Sequence, residues 1–352
     1  WKKVRKTFYE LLSLPLPPME FVEGLRRELH QEIDLTEVYL VEKGEDASLY
    51  FDEQGRPHLE RLEAIDKPDG IEALAEKIFD DEIGLVDLPD LVIDELNEVG
   101  LLDCFKGPDG EMPRTPEHAR NVVATTIAYG CNHGPKAMAN STEGVSAWQI
   151  ADTFRRYFTE ENLKAAIIKL VNRINRHPLV KIWGDGTVAH ADGLRFVQPL
   201  NVLQSEFHVR LKDYGVVYLP SETNTHAVFY SQVIPCHIRE ALYLIDGLLM
   251  HDTELEIKMQ VSDMHGKTNP AMALARLLGF RLCPRPTGIP RMVLSRFDSK
   301  KSHGKLAEML RHKINPDAIT SVYDQIVRLA ASAKARLVAP SLLLYRLSSF
   351  AS

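Results

Sequence analysis

The spacing of hydrophobic residues predicts that the first half of the chain is mostly helical. In residues 17–33, Phe21, Leu25 and Leu29 recur at every fourth position, which places them on one face of a helix. Residues 37–59 carry shorter alternating runs broken by glycines, the pattern of a small hairpin. Threonine or proline at the start, with glycine or proline at the end, predicts three more helices, over residues 89–100, 116–130 and 160–177.

After Pro178 the hydrophobic period changes to that of β-strands. The segments "TVAHADGLRFVQ", "GVVYLPS" and "HAVFYSQVI" are rich in β-branched and aromatic residues and follow one another closely, as in an antiparallel meander. The elements predicted after this meander are a helix over 237–250, a strand over 255–263, a helix over 269–279, a strand over 280–285, and tail helices over 304–314, 316–333 and 339–350.

Three strands, a helix, a strand, a helix and a strand follow in the order of the ribonuclease-H-like fold. The predicted class is therefore α/β, with a ribonuclease-H-like catalytic core preceded by mostly helical domains. The polar link "KGPDGEMPRTPEHA" is rich in turn residues and marks a boundary near residue 112. We predict an acidic, mainly helical scaffold region with a small hairpin over 1–112, a helical linker region over 113–180, and the catalytic core over 181–352.

The net charge of −7 conceals two parts of opposite sign. Residues 1–115 contain 13 Lys and Arg against 29 Asp and Glu, whereas the remainder contains 29 against 20. A basic part of this size suits the binding of nucleic-acid phosphates, but solvated basic faces are also common. Charge alone therefore leaves both interpretations open, a nucleic-acid-binding surface and a solvated face. The cations that crowd together in the sequence are Arg281, Arg285, Arg291, Arg296, Lys300, Lys301 and Lys305.

The chain lacks the sequence features of a membrane or secreted protein. No stretch approaches the roughly 20 apolar residues of a membrane helix, and the N-terminus has no signal-peptide core, so we expect a cytoplasmic protein without a membrane partner. Cys104, Cys131, Cys236 and Cys283 form no CxxC pair, which favours reduced thiols over a zinc site or a disulfide framework. The chain begins with Trp1 rather than Met, as expected for a piece of a longer protein.

Two aspartates, Asp185 and Asp192, lie in the segment "IWGDGTVAHADGLRF". The first belongs to a "DGT" that is similar to the DxDGT loop of haloacid-dehalogenase-type phosphatases, in which the first aspartate attacks phosphorus. Trp183 occupies that nucleophile position here, and covalent catalysis needs the attacking carboxylate, so the phosphatase interpretation fails. We predict instead that Asp185 is structural and bonds to nearby backbone amides in a tight turn.

Asp192 and Asp263 are the predicted catalytic and metal-binding residues. If 187–196 is one strand, Asp192 shares a face with His190 and Leu194, and an aspartate in mid-strand is unfavourable unless it has a function. Asp263 ends a later strand and would project beyond the sheet. Each has a structural alternative, an edge-strand charge for Asp192 and the N-cap of a turn for Asp263. Together, two carboxylates from neighbouring strands can hold a pair of Mg²⁺ or Mn²⁺ ions about 4 Å apart.

His265 and Lys267 follow Asp263 closely in the sequence. They are candidates for phosphate contacts or for hydrogen bonds that orient the metal ligands. A histidine before a glycine in a turn is more often merely tolerated, so a structural role for His265 stays open beside the functional one.

Several long motifs run through the chain in a fixed order. They are "TIAYGCNHGPKAMANS", "WQIADTFRRYFTEENLKAAIIKLVNRINRHP", "RHPLVKIWGDGTVAHADGLRF", "YLIDGLLMHDTELEIKMQVSDMHGKTNPAMALARLLGFRLCPR" and "YDQIVRLAASAKARLVAPSLLLYRL". Together they resemble the C-terminal catalytic region of the Tn-three family of bacterial replicative transposases. The resemblance runs from about residue 85 to the C-terminus, whereas residues 1–84 match weakly.

The resemblance implies a DDE transposase, in which a ribonuclease-H-like domain binds Mg²⁺ through three acidic residues. Such an enzyme nicks the 3′ ends of a transposon and joins the freed 3′-OH to target DNA. By motif, the first acidic residue falls on Asp192 in "ADGLRF" and the second on Asp263 in "SDMHG"; the alanines of "AHAD" depart from the serines often seen there. The implied partners are transposon-end DNA, target DNA and, in the full protein, a second copy, all in the bacterial cytoplasm.

The resemblance places the third acidic residue, a glutamate, beyond the segment "APSLLLYRLSSFAS" at which this chain stops. The third ligand is therefore unknown, and we expect the chain to bind metal weakly and to be inactive alone. Two other functions stay open: a non-catalytic module for DNA holding or dimerisation, and a ribonuclease-H-like nuclease unrelated to transposition. The late carboxylates, none of which stands in the family's glutamate motif, are Asp298, Glu308, Asp317 and Asp324.

Overall fold

The computed structural model describes residues 1–60, 66–84, 86–197, 203–263, 268–298 and 303–349. Within these ranges, no helix combines the length and apolar character needed to cross a membrane. The α-helices are α1 (Arg5–Leu11), α2 (Pro18–Lys43), α3 (Ile71–Lys77), α4 (Leu88–Glu98), α5 (Pro116–Gly130), α6 (Gly134–Ser141), α7 (Ala147–Tyr157), α8 (Glu160–Arg176), α9 (Leu244–Met250), α10 (Asn269–Leu277), α11 (Pro316–Lys334) and α12 (Pro340–Ser349). The strands are β1 (Leu49–Phe51), β2 (Pro57–Leu59), β3 (Val188–Ala191), β4 (Leu194–Val197), β5 (Glu206–His208), β6 (Asp213–Thr223), β7 (Val228–Pro235), β8 (Met259–Ser262), β9 (Arg281–Pro284), β10 (Leu294–Arg296) and β11 (Leu310–Lys313).

The largest sheet among the described residues has seven strands and is built around β6 and β3. β6 pairs antiparallel with β5 and β7 along one edge and with β3 and β4 along the other. β8 pairs in parallel with β3, and β9 in parallel with β8. Across the sheet the strand order is β7–β6–β3–β8–β9, with β6 antiparallel to its neighbours. A mixed sheet joined to many helices confirms the predicted α/β class.

The main hydrophobic core lies between this sheet and four later helices. Alternate residues of β6 are buried on this side, and Leu219 is 1% exposed. The side chains that meet it come from α9, α10, α11 and α12, with Ile245, Leu274, Val327 and Leu344 as representatives. Burying each such side chain contributes about 2 kcal/mol, so these helices fix the sheet from one side.

The N-terminal helices pack against the same core. Phe21 of α2 stacks on Tyr323 of α11 with ring centroids 4.6 Å apart, and Tyr9 of α1 meets Tyr323 edge-on at 5.7 Å. The Trp1 indole N–H and the Tyr9 hydroxyl donate hydrogen bonds to the Asp324 carboxylate at 2.8 and 3.1 Å. Residues from the first and last helices thus share one core. The division of the chain into regions 1–112, 113–180 and 181–352 stays a prediction.

A second core lies among the helices between residues 88 and 176, where α4, α5 and α8 confirm three predicted helices to within about two residues at each end. Thr115 and Thr159 have the capping role expected of them. Their hydroxyls accept hydrogen bonds from the backbone N–H groups of His118 and Asn162, at 3.1 and 3.2 Å. Because each cap satisfies an N–H that the helix cannot, the helix starts are fixed locally by sequence.

Two local predictions outside the main sheet are wrong. Residues 37–43 of the predicted hairpin are helical, because α2 continues far enough for Leu40 to join the cluster that contains Ile33, and the hairpin is confined to β1 and β2. The helix predicted over 304–314 is instead a short 3₁₀ turn followed by β11. Leu310 at the start of β11 is 1% exposed and pairs with β10, so packing selects the strand.

Candidate active site

Asp192 lies in a break between two strands, so the prediction that 187–196 forms one continuous strand is wrong. β3 ends one residue before Asp192, and β4 begins two residues after it. Both strands keep the same register against β6, so the break inserts no extra residue. β8 pairs with β3 but not with β4, so this pairing stops just before Asp192. The Asp192 side chain is exposed.

Gly193 permits a close approach of two other side chains at this break. A Cβ at this position would lie 2.2 Å from Oε1 of Glu240 and 2.8 Å from Cγ1 of Val217. The Glu240 carboxylate therefore lies over the residue that follows Asp192. Glu240 is not predictable from the sequence as a neighbour of this site, because no motif or spacing relates it to Asp192. Only the packing of the turn after β7 brings it there.

Asp263 directly follows β8, as predicted. β3 and β8 are parallel neighbours whose last paired residues are Ala191 and Ser262. Asp192 and Asp263 thus directly follow these last paired residues, and both lie at the same edge of the sheet. Neighbouring strands of a sheet are about 4.8 Å apart. Both aspartates are exposed. The fold places the two predicted metal ligands at adjacent positions.

The described residues contain no group of three or more His, Cys, Asp or Glu side chains that could hold a metal ion. Three of the late carboxylates interact elsewhere. Asp324 binds the N-terminal segment, Asp298 lies 3.8 Å from the guanidinium of Arg26, and Glu308 lies 3.4 Å from that of Arg311. Each of these three carboxylates therefore has its interaction partner elsewhere in the structure, away from the Asp192–Asp263 pair.

Asp185 makes the turn contacts predicted for it. Its Oδ1 accepts hydrogen bonds from the backbone N–H and the hydroxyl of Thr187, at 3.0 and 2.7 Å, and from Asn224 at 3.4 Å. The hydroxyl and backbone hydrogen bonds of Thr187 lower the pKa of Asp185 below its usual value. Asn224 also accepts from the N–H of Gly186 at 3.0 Å. These bonds hold together the tight turn that precedes β3.

Helix α9 supports the sheet near this edge. A Cβ at Gly247 would lie 2.8 Å from Oγ of Ser221, which pairs with the last residue of β3, so α9 packs closely under that strand end. The neighbouring Asp246 is 5% exposed and accepts the backbone N–H of Ser341 at 2.9 Å, at the start of α12. Burial raises the pKa of Asp246, and the Ser341 hydrogen bond opposes this effect. A buried carboxylate thus joins α9 to α12.

The structure separates the cations that are crowded in the sequence. Arg281, at the start of β9, lies 3.7 Å from Glu32 of α2. Arg285 directly follows the other end of β9, and its backbone N–H donates to the carbonyl oxygen of Ser262 at 2.7 Å. Four residues considered from the sequence, His265, Lys267, Lys300 and Lys301, lie outside the described residues.

Comparison with known proteins identifies the class of this domain. The family model described as "Tn3 transposase DDE domain" matches residues 90–352, well over half of the chain. The chain belongs to the Tn3 family of DDE transposases. The match includes both Asp192 and Asp263 and the whole of the seven-stranded sheet.

Individual relatives are transposases of bacterial transposons. The chain is 27% identical over 299 residues to the transposase for transposon Tn1546 of Enterococcus faecium. The aligned region covers 85% of this chain and 30% of that protein. It is 30% identical over 246 residues to the transposase for transposon Tn2501 of Escherichia coli, covering 67% and 24%. The transposase for transposon Tn4556 of Streptomyces fradiae is 23% identical over 341 residues, covering 94% and 37%. The chain therefore spans less than two fifths of each of these relatives.

Proposed function

We propose that this chain is part of a DNA transposase that nicks the 3′ ends of a transposon and joins the freed 3′-OH to target DNA. The observation that carries the proposal is the position of Asp192 and Asp263, one residue beyond the paired ends of adjacent parallel strands. Family membership supports it, since the relatives are transposases. Transposon-end and target DNA are the proposed partners, and the full protein is proposed to act as a homodimer.

The core is proposed to be ribonuclease-H-like. The strand order β7–β6–β3–β8–β9 supports this, with α9 between β7 and β8 and α10 between β8 and β9 along the chain. In open sheets of parallel strands, ligands bind beyond the carboxyl ends of the strands. Asp192 and Asp263 lie at that edge, so the proposed fold and the proposed site are consistent.

Asp192 and Asp263 fit a divalent metal of the Mg²⁺ type. Both are exposed carboxylates at adjacent strand ends, and such hard oxygen ligands suit Mg²⁺ or Mn²⁺ better than zinc. When bound, a pair of these ions activates the attacking oxygen and stabilises the leaving oxygen of a phosphodiester. The role of the chain is to keep the two carboxylates at a fixed separation through the β3–β8 ladder, which α9 supports.

The proposed reaction has two steps of the same kind. In nicking, a water oxygen attacks phosphorus at the transposon end, the P–O3′ bond breaks, and the 3′ oxygen leaves as a hydroxyl. In joining, that hydroxyl attacks a phosphorus of target DNA and displaces the 3′ oxygen of the target strand, so the number of phosphodiester bonds is conserved. The exposure of Asp192 and Asp263 leaves both accessible to a DNA strand from solvent.

We expect weak metal binding that depends on both aspartates. Isothermal calorimetry with Mn²⁺ is expected to give a signal for the unchanged chain that is lost in Asp192→Ala and in Asp263→Ala. Asp317→Ala removes an exposed aspartate from the first turn of α11 and serves as the matched control. If the variant lacking both site aspartates binds Mn²⁺ as well as the control does, the pair is structural and the chain is a non-catalytic module.

The chain alone is proposed to be inactive, because two carboxylates are too few for the metal pair. Nicking assays with Mg²⁺ or Mn²⁺ and DNA that carries Tn3-family transposon ends are expected to show no turnover. Robust nicking by this chain, abolished by Asp263→Ala, would contradict the claim that a third ligand is missing.

A further inference from the structure

The third parallel strand places an arginine in line with the two aspartates. β8 and β9 pair in parallel up to Ser262 and Pro284, and the next residue, Arg285, continues the ladder through its N–H bond to Ser262. The residues that directly follow the consecutive strands β3, β8 and β9 are therefore Asp192, Asp263 and Arg285. The backbone that carries the arginine is fixed by the same sheet as the carboxylates.

The Arg285 side chain differs from neighbouring arginines in its contacts. It is exposed, and no ion pair or side-chain hydrogen bond joins it to any other residue in the described part of the chain. Arg281, at the opposite end of β9, lies 3.7 Å from Glu32, and Arg276 of α10 lies 2.5 Å from Glu28. Those two charges are neutralised by α2, whereas the charge of Arg285 is available to an anion from outside.

We propose that Arg285 contacts the phosphate on which the Asp192–Asp263 pair acts, an inference that rests on the proposed function. Its guanidinium presents two parallel N–H donors that match two phosphate oxygens, which a lysine cannot do. The strand spacing places it about 5 Å from the Asp263 position and about 10 Å from the Asp192 position. A phosphate held by Arg285 would lie beside the carboxylates, and the positive charge would offset their repulsion of DNA.

The test is the binding of a short labelled DNA duplex of random sequence by this chain, followed by fluorescence anisotropy over a range of salt concentrations. Arg285→Ala is expected to weaken binding about tenfold, as for the loss of hydrogen bonds to a charged group. It is also expected to reduce the slope of log affinity against log salt by about 0.9, the value for one phosphate contact. Arg285→Lys should retain the slope and lose part of the affinity, because the charge remains and the paired donors do not.

Arg281→Ala is the matched control, since it removes an exposed arginine from the same strand at the edge away from the aspartates. It is expected to leave both affinity and salt slope unchanged. An equal loss in the two alanine variants, or no loss in Arg285→Ala, would overturn the proposal, because binding would then reflect general basic charge. Arg285→Gln, with thermal melting as a check on folding, replaces the alanine variant if that variant unfolds.

Failure of this inference can be told apart from failure of the proposed function. Calorimetry with Mn²⁺ tests the aspartate pair and is expected to be unchanged in Arg285→Ala. If Mn²⁺ binding depends on Asp192 and Asp263 while Arg285→Ala binds DNA normally, the metal site stands and the arginine contact is refuted. If Mn²⁺ binding is independent of the aspartates, the proposed function fails, whatever the arginine variants do.

Discussion

The Asp246 carboxylate is removed from solvent and kept in place by a backbone hydrogen bond from Ser341. Burial disfavours its charged form, so the pKa in the folded protein is raised above the ordinary value of about 3.9. The folded chain therefore binds this proton more tightly than the unfolded chain does. The stability that the proton contributes is complete below about pH 3.9 and is lost as pH rises through the folded-state pKa.

Asp246→Asn is expected to remove this dependence. Asparagine keeps an oxygen for the Ser341 N–H and removes the titrating group, so the variant should gain stability relative to the unchanged chain as pH rises from about 4 to neutrality. Urea unfolding at the two pH values measures the difference. The same difference in unfolding free energy at both pH values would mean that Asp246 does not titrate as its burial implies.

At the site, single residues were predictable only where a sequence pattern accompanies them. Asp263 ends a run of strand residues, and Asp192 is an acidic residue in a β-rich segment, so both could be proposed from the sequence. Arg285 is one of several clustered cations, and only the β8–β9 register sets it apart. Glu240 reaches Gly193 by tertiary packing alone. Local pattern identifies candidates, whereas strand pairing decides which of them meet.

At the scale of elements, helix α12 is held to the main core by one apolar side. Leu344 is completely buried in the main core, whereas Leu342, two positions earlier, is 51% exposed. Leu344→Ala is expected to reduce the free energy of unfolding by about 2–5 kcal/mol, because it leaves a cavity among packed side chains. Leu342→Ala, the control on the same helix, should change it by less than about 0.5 kcal/mol. Comparable losses in urea unfolding would show that α12 is not docked as described.

Helices with local start signals were predictable, and elements decided by distant contacts were not. α5 and α8 begin at threonine caps that the sequence displays, and α11 begins at Pro316 after the capping Asn315. α2 is longer than predicted because Leu40 packs against the region around Leu310, which is remote in sequence. The same contact favours the strand β11 over the helix that was predicted for these residues. Long-range packing therefore accounts for both errors.

At the scale of the whole molecule, the acidic first third and the basic remainder are in contact through α2. Glu28 and Glu32 lie on one side of this helix and pair with Arg276 and Arg281 of the later region. Each pair is exposed and is worth less than about 1 kcal/mol. The contact has a larger effect on the surface potential, since it neutralises two arginines of the basic later region.

Glu28→Gln combined with Glu32→Gln is expected to strengthen the binding of random-sequence DNA at low salt by about threefold or more, because two arginines are released to contact phosphates. The unfolding free energy should fall by no more than about 2 kcal/mol for the two pairs together. Glu42→Gln, on the same helix and without an ion pair among the described residues, is the control. Fluorescence anisotropy that gives equal affinities for all three chains would contradict this role of α2.

The register of β3, β8 and β9 has a consequence for folding. Asp192 and Asp263 are 71 positions apart in the sequence and become neighbours only after β8 pairs with β3 across the intervening meander and helix. Parallel pairing over such a distance requires a large loop to close and is slow compared with helix formation. A slip of one residue would also move Asp263 out of line and turn its strand to the opposite face. We therefore expect metal-binding competence to appear late in refolding, after the helical signal has recovered, so that Mn²⁺ affinity reports the correct pairing of the sheet.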